Sequence, residues 1–491
     1  MNNIKKNTAT QLVTMIIITI ITQVFILIRA SIIASRFGVS EHLDAFNFVN
    51  SISIFIFSFI SVGITTVLIP NLGAKEKRKA VNSFLIILYG IATLLLIFSI
   101  IFRGKIINIF SQNTSASFIE VSSLLMIILL VSQYIASFMG LSNAVLQFEN
   151  KFNRSKIIIL ITNILMVILL IIKRGCSINY YAAIVLLTTV INVILQFILV
   201  YKSSFKFNFL FDIKDLHLKM MLRIFLPTIL STGLYQFSLI IDTVIASGLG
   251  EGNISILNYS NYIIGMINIL LVANITTFLY PKIVTNIENK NYQKELAKYI
   301  MIINSVLSFI VLGMIVLGKD VLEILYMRGE FTSEINLMVY YCTIIYIIAV
   351  PANAVRDIIY KYFYANNDTY TPFKNSLVIS AINIILSIIF VKYIGLYGVV
   401  LGTTLTSLMS VIFISIRFKK IYGFNFNGKS FLIENIKIFI NVIILLVLFQ
   451  VIKNTFNFGG IVNILLYTPL IFIPYIGGLY IFKSEVFRMK L

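Results

Sequence analysis

The chain has 491 residues, 59% of them hydrophobic and 12% charged, with a mean hydropathy of +0.97. No soluble domain is built from this composition; it marks a polytopic membrane protein. The net charge of +20 is no nucleic-acid signature, because most Lys and Arg fall in short connectors between apolar runs, and two cysteines and two histidines are too few and too dispersed for a disulfide framework or a zinc centre.

A membrane-spanning helix needs about 20 mostly apolar residues. About fourteen runs qualify or nearly so: 11–35, 44–69, 80–102, 117–147, 156–172, 181–201, 219–248, 254–280, 296–317, 334–360, 372–391, 396–417, 432–452 and 461–482. Lys5 and Lys6 ahead of the first run resemble a signal peptide, but the run is long and no small-residue cleavage site follows, so it reads as a retained first helix. The connectors set the orientation. With the N-terminus inside, the inner segments (among them Lys75–Lys79, Lys151–Lys156 and 202–223) hold about 28 Lys and Arg against about 9 outside. Both termini are expected in the cytoplasm.

The stretch 29–70 appears twice. Ala34, Ser35 and Gly38 return as Ala246, Ser247 and Gly250, Asn50 as Asn261, and the ending Ile64-Thr65-Thr66-Val67-Leu68-Ile69-Pro70 as Ile275-Thr276-Thr277-Phe278-Leu279-Tyr280-Pro281. Asn143-Ala144-Val145 on the fourth run matches Asn353-Ala354-Val355 on the tenth. Six runs separate the copies, an even number, so the halves are parallel repeats about an axis along the membrane normal. The expectation is an all-α integral membrane protein of about 14 transmembrane helices. Two six-helix lobes, 1–216 and 217–425, would surround a central cavity, and two further helices, 426–491, would lie outside the duplication and form an apolar groove.

Four stretches carry a family resemblance. They are Arg29 through Pro70 with Ser35-Arg36-Phe37-Gly38 and Asp44-Ala45-Phe46; Tyr326-Met327-Arg328-Gly329-Glu330-Phe331-Thr332; Phe363 through Pro372; and Gly395-Leu396-Tyr397-Gly398. In this order the chain resembles the MurJ (MviN) family of the multidrug/oligosaccharidyl-lipid/polysaccharide exporter superfamily. The resemblance implies a flippase of the bacterial plasma membrane, not an enzyme. It would carry an undecaprenyl-pyrophosphate-linked saccharide, such as lipid II or a related cell-surface precursor, to the outer leaflet, with the groove of the last two helices taking the polyprenyl tail. Of the cavity arginines typical of lipid II flippases only the one at Arg29 is kept; Gln23, Phe57 and Tyr262 stand where Arg is common and Val62 where Glu is common. A less anionic or differently shaped saccharide lipid, or lipid II held another way, is therefore expected.

Each candidate residue has two readings. Arg29, roughly five residues from the outer end of the first run, either grips a pyrophosphate through its planar fork or snorkels to the interface. Asp44 is either a first-turn acid or a gate residue. Asp242, flanked by Ile240, Ile241 and Val244, must pair, bind a cation or be protonated. Its partner is either Arg29, at nearly the equivalent repeat position, or a hard cation held with Asn383, Ser387 and Thr403; Na⁺ is suggested mainly by the resemblance. Gln23, Asn50, Tyr259 and Tyr262 either line the cavity and bind sugar or bridge helices. Arg356 and Asp357 are adjacent on a helix and are expected not to pair with each other; they read as interfacial anchors.

No G-x-x-x-x-G-K-[ST] loop is present, so uphill transport must draw on an ion gradient or the membrane potential. No cofactor beyond a possible Na⁺ is expected, the only partners being the lipid-linked saccharide and membrane lipids, and the chain reads as a monomer. Three rivals remain: a cation-coupled drug exporter of the same superfamily, expected to have twelve helices; a membrane glycan polymerase or ligase, which the short outer loops disfavour; and a non-transporting membrane scaffold, whose interior charges could be neutralised without consequence.

Overall fold

The computed structural model describes residues 2–485 except 74, 114, 150, 174, 204, 210, 275–282, 284–291, 367 and 425–427; of 2–13, 62, 66, 75, 152, 227, 228, 231, 232, 235 and 292 the backbone alone is described. The second copy's ending, Ile275–Pro281, lies outside the described residues, as do Lys282 and Lys290.

Among the described residues there is no strand. That follows from the solvent: a backbone polar group in hydrocarbon has no water to bind, and a helix satisfies its own. The helices are α1 (Asn2–Phe37), α2 (Glu41–Leu68), α3 (Arg78–Ile101), α4 (Arg103–Phe110), α5 (Ala116–Ser137), α6 (Met139–Phe148), α7 (Phe152–Ile172), α8 (Ile178–Tyr201), α9 (Leu216–Ser247), α10 (Asn253–Ile267, continued by a π-helical turn over Asn268–Ala273), α11 (Tyr292–Tyr326), α12 (Ser333–Ile347), α13 (Val350–Ala365), α14 (Tyr370–Ile394), α15 (Leu396–Tyr422), α16 (Gly428–Thr455) and α17 (Gly460–Ile481). Thirteen segments of the described residues are long and apolar enough to cross a membrane. The expected seventh span falls on α9, which is 32 residues long (Leu216–Ser247).

Two of the expected spans are broken helices. Ala116–Phe148 bends at Phe138 and Ser333–Ala365 at Ile348–Ala349, and each is 33 residues long. The breaks fall five residues before Asn143 and before Asn353, so the duplication extends to the kink. At the first break the freed carbonyl of Ser137 accepts from the Ser61 hydroxyl at 3.2 Å and the Tyr89 hydroxyl at 3.5 Å. Side chains that re-satisfy a freed carbonyl are what make a kink tolerable inside a membrane.

The chain divides into two compact units, Met1–Ser255 and Ile256–Leu491. In the first, α2 is the central helix and packs against α5, α6 and α9; α1 packs on α7, and α5 and α7 both pack on α8. In the second, α14 and α15 form the most extensive helix pair, α15 also meets α12 and α13, and α11 carries the last two helices.

The α14–α15 hairpin explains one of the four family stretches. Gly395 turns the chain at φ +57°, a conformation few other residues adopt. A Cβ at Gly398 would lie 2.4 Å from the Phe390 carbonyl, and one at Gly402 would lie 2.9 Å from the Ser387 hydroxyl. Gly398-x-x-x-Gly402 is thus a small-residue seam that lets two membrane helices touch backbone to backbone. The helices α16 and α17 close on α11 through an apolar core of Leu312, Val316, Ile438, Leu445, Tyr467 and Ile471. Polar fasteners lie beside it. Lys453 pairs with Asp320, whose other oxygen accepts from Asn463 at 2.7 Å, and the Tyr475 hydroxyl donates to the Ser305 carbonyl at 2.7 Å.

One expectation is corrected. Arg356 and Asp357 do pair, with guanidinium Nη2 2.9 Å from Oδ1. Adjacent helix positions point about 100° apart, but the long Arg stem curls back, and both side chains are partly exposed.

Candidate functional site

Asp44 is 3% exposed in the first turn of α2. It does not cap its own helix; the Ser40 hydroxyl does, accepting from the Leu43 amide at 3.4 Å. Instead the carboxylate receives three donors from the start of α10: the Gly252 amide at 2.6 Å, the Ser255 amide at 2.7 Å and the Ser255 hydroxyl at 2.5 Å. Two of the amide groups that a helix N-terminus leaves without partners are satisfied by a full negative charge at the positive end of the helix dipole. The arrangement is reciprocal. Glu251, just before α10, accepts from the backbone amide of Glu41, the first residue of α2, at 3.0 Å. Each helix start is capped by a carboxylate beside the other.

The surroundings allow little slack. Gly252 sits at φ +87° with a Cβ position 3.0 Å from Val39, a Cβ at Gly248 would meet the Gln112 side chain at 2.4 Å, and the Ser247 hydroxyl accepts from the Gln112 amide at 3.0 Å. Asn47 adds a longer bond to the Ser255 hydroxyl, 3.4 Å. Gly252 and Ser255 were not singled out from sequence, yet a signal existed. The shift that aligns Asn50 with Asn261 also aligns Asp44 with Ser255. The latch joins equivalent positions of the two repeats.

Arg29 lies on α1, half-buried. Its Nη1 reaches the Met166 thioether on α7 at 3.4 Å, and its Nε is buried with no hydrogen-bond partner. Ion pairs among the described residues are Lys151–Glu149, Arg356–Asp357, Lys437–Glu434 and Lys453–Asp320, so Arg29 has no counter-charge there. Of the two partners considered for Asp242, Arg29 is not paired with it here: α1 packs on α7, whereas α9, which carries Asp242, packs on α2 and α3. Asp242 is 6% exposed. Gln23 is buried on α1, and Asn50 accepts from Gln133 on α5 at 3.3 Å, bridging two helices.

In the second unit Tyr259 is 2% exposed, with ring centroids 5.1 Å from Tyr326 and 5.4 Å from Phe331. The stretch Tyr326–Thr332 is therefore a turn, with Gly329 at φ +60°, that delivers two rings onto α10. Tyr262, three residues further on, is only half-buried. Asn383, Ser387 and Thr403 come together at the α14–α15 seam. Asn383 donates to Thr403 at 3.0 Å and to Thr406 at 3.4 Å, and Ser387 faces Gly402. No cluster of three or more His, Cys, Asp or Glu is found among the described residues.

The three donors on Asp44 make a direct prediction. In Asp44→Asn one amide of α10 would face an NH₂ group. Losing a charge-assisted bond is worth about 2 kcal/mol, or about thirty-fold in population. Hydrogen–deuterium exchange at Gly252 and Ser255 should accelerate by that order while α14 and α15 keep their protection. Unchanged exchange at both amides would show that the latch carries no load.

The comparisons with known proteins agree with one another. The family described as "Lipid II flippase MurJ" matches residues 33–469. A lipid II flippase MurJ of Thermosipho africanus is 27% identical over 456 residues, 92% of each chain. A solved lipid II flippase MurJ in an inward closed conformation superposes with a TM-score of 0.80 at 25% identity, covering 97% of this chain and 99% of that one. An inward-facing multidrug resistance MATE transporter of the MOP superfamily has the same fold at a TM-score of 0.61 and 14% identity, but accounts for 83% of this chain while 98% of its own length is used. This chain is a multi-pass membrane protein and belongs to the MurJ lipid II flippase family.

Proposed function

We propose that the chain flips lipid II, a polyprenyl-pyrophosphate-linked saccharide, from the inner to the outer leaflet of the bacterial plasma membrane. It does so as a monomer, by alternating access, with both termini in the cytoplasm and without covalent catalysis. The observation that carries the reading is Arg29. A membrane helix tolerates a central Arg at about 2.5–3.5 kcal/mol, and here the guanidinium faces a thioether, a weak acceptor, with Nε buried and unsatisfied. That is a cation left without an anion, and its planar fork suits a pyrophosphate. Asp44 supplies the second half of the cycle: its hydrogen bonds tie the start of α2 to the start of α10 and must break for release.

Complementation of a strain depleted of its lipid II flippase tests this. The wild-type chain should restore growth, Arg29→Ala should not, and Arg29→Lys should restore it partly, because a point charge replaces a two-pronged contact worth about 1.5–3 kcal/mol per bond. No rescue by a well-expressed wild-type chain would mean a different cargo.

The tail has a candidate berth. α11 and α17 leave a cavity of about 200 Å³ lined by Phe309, Gly313, Met314, Ile464, Thr468 and Ile471. Each tail CH₂ kept from water is worth about 0.8 kcal/mol. A photoreactive polyprenyl analogue should label 430–482, and Gly313→Leu, whose added Cβ meets nothing within 4 Å, should reduce that labelling. Labelling that misses both 430–482 and the α11 face of the cavity at Phe309–Met314 would rule the berth out.

Coupling is assigned to Asp242. A buried carboxylate in a membrane helix needs a cation or a proton in at least one step of a transport cycle, and Na⁺ is the proposed ion. In proteoliposomes Asp242→Asn should lose Na⁺ dependence while remaining folded. Transport at the normal rate with unchanged Na⁺ dependence would make Asp242 structural.

A further inference from the structure

The first unit contains two adjoining cavities at the end that bears the basic connectors. The larger is about 830 Å³ and apolar, lined by Tyr89 and Gly90 of α3, Phe138, Leu141 of α6, Phe197 of α8 and Phe209 of the following connector. The smaller, about 50 Å³, is polar, lined by Asn71, Arg78 and Asn82. Phe205 and Lys206 line both, so the two are joined at those residues.

Three features mark this as a built site. Asn82 is 2% exposed, faces the small cavity, and its side-chain amide has no protein hydrogen bond among the described residues. Its donors and acceptor are thus open to a polar group in the cavity. Arg78 and Lys206 put two positive charges at the same end; Lys206 spends one donor on the Tyr201 carbonyl at 2.9 Å and keeps two. The connector itself is fixed over α3, since the Asp212 amide donates to the Ser83 hydroxyl at 2.8 Å. Beyond this rim Phe209 is 89% exposed, an aromatic placed for a lipid interface.

The geometry points to a site for an anionic phospholipid, its phosphate between Arg78, Asn82 and Lys206 and an acyl chain in the apolar cavity. The occupant follows from the join. A free anion would leave the large cavity empty, and an uncharged lipid would leave Arg78, Asn82 and the two remaining Lys206 donors without an anion. The volume lies within the roughly 300–1,000 Å³ of ordinary ligand sites, and basic pockets between membrane helices on the cytoplasmic side are where acidic headgroups bind. This inference is independent of the cargo: it concerns a resident lipid on the first unit, away from Arg29's contact with Met166.

Native mass spectrometry of the full chain, released from nanodiscs of equal phosphatidylglycerol and phosphatidylcholine, tests it. The wild-type chain should retain phosphatidylglycerol about tenfold over phosphatidylcholine. The double variant Arg78→Gln/Lys206→Gln should bring that ratio near one. Gly90→Leu, where a Cβ meets nothing within 4 Å, should fold normally and lose bound lipid of both kinds. Equal retention of the two lipids by the wild type, an unchanged ratio in the double variant, or undiminished lipid in Gly90→Leu would each overturn the proposal. So would displacement of the lipid by millimolar inorganic phosphate, which would make this a simple anion site, or by lipid II, which would make it part of the transport path.

Discussion

Everything in this chain is subject to one constraint: a backbone amide or carbonyl in hydrocarbon must find its partner within the protein, at a cost of several kcal/mol if it does not. Uninterrupted helices meet it alone. The informative places are where helices start, stop or bend, because there another residue must step in. Ser61 and Tyr89 do so at the carbonyl of Ser137. Asp44 does so for α10 and Glu251 for α2. Asp368 does so for α14, accepting from the Thr371 amide and hydroxyl at 2.9 and 2.7 Å.

This explains why four short stretches could carry a family resemblance when most of each span is interchangeable Ile, Leu and Val. Each stretch contains a helix end. Gly38 (φ +52°) closes α1, Gly329 turns the α11–α12 connector, Asp368 caps α14 and Gly395 reverses the chain into α15. Backbone demands of this kind accept few residue types, whereas a lipid-facing position accepts any apolar one.

The same contrast decides what could be read from sequence. Class, span positions and duplication were legible, since length, hydropathy and spacing report them directly. Arg29, Asp44 and Asp242 stood out because a charge in a membrane helix has few neutral explanations. The breaks at Phe138 and Ile348 were not legible: neither is marked by a polar or glycine residue at the break itself, although Pro351 follows the second. The Asp44 latch was half legible. Its acid was evident, but the repeat alignment, read only for similarity, also paired Asp44 with Ser255. Asn383, Ser387 and Thr403 lie together at the seam, and the Gly398-x-x-x-Gly402 pattern that brings them there was overlooked. Arg356–Asp357 was misjudged because helical geometry fixes Cβ directions, not the reach of a guanidinium.

The pairing of Asp44 with its repeat counterpart has a consequence for how such a chain could arise. Two identical copies would present the same residue on both sides of that contact. Two aspartates would set like charges face to face, and two serines would offer no charge to the helix dipole. Two of the three donors, the amides of Gly252 and Ser255, would be there whatever residue stood at 255. The third, the Ser255 hydroxyl, exists only because the two positions differ. Loss of symmetry, rather than its preservation, completed this contact.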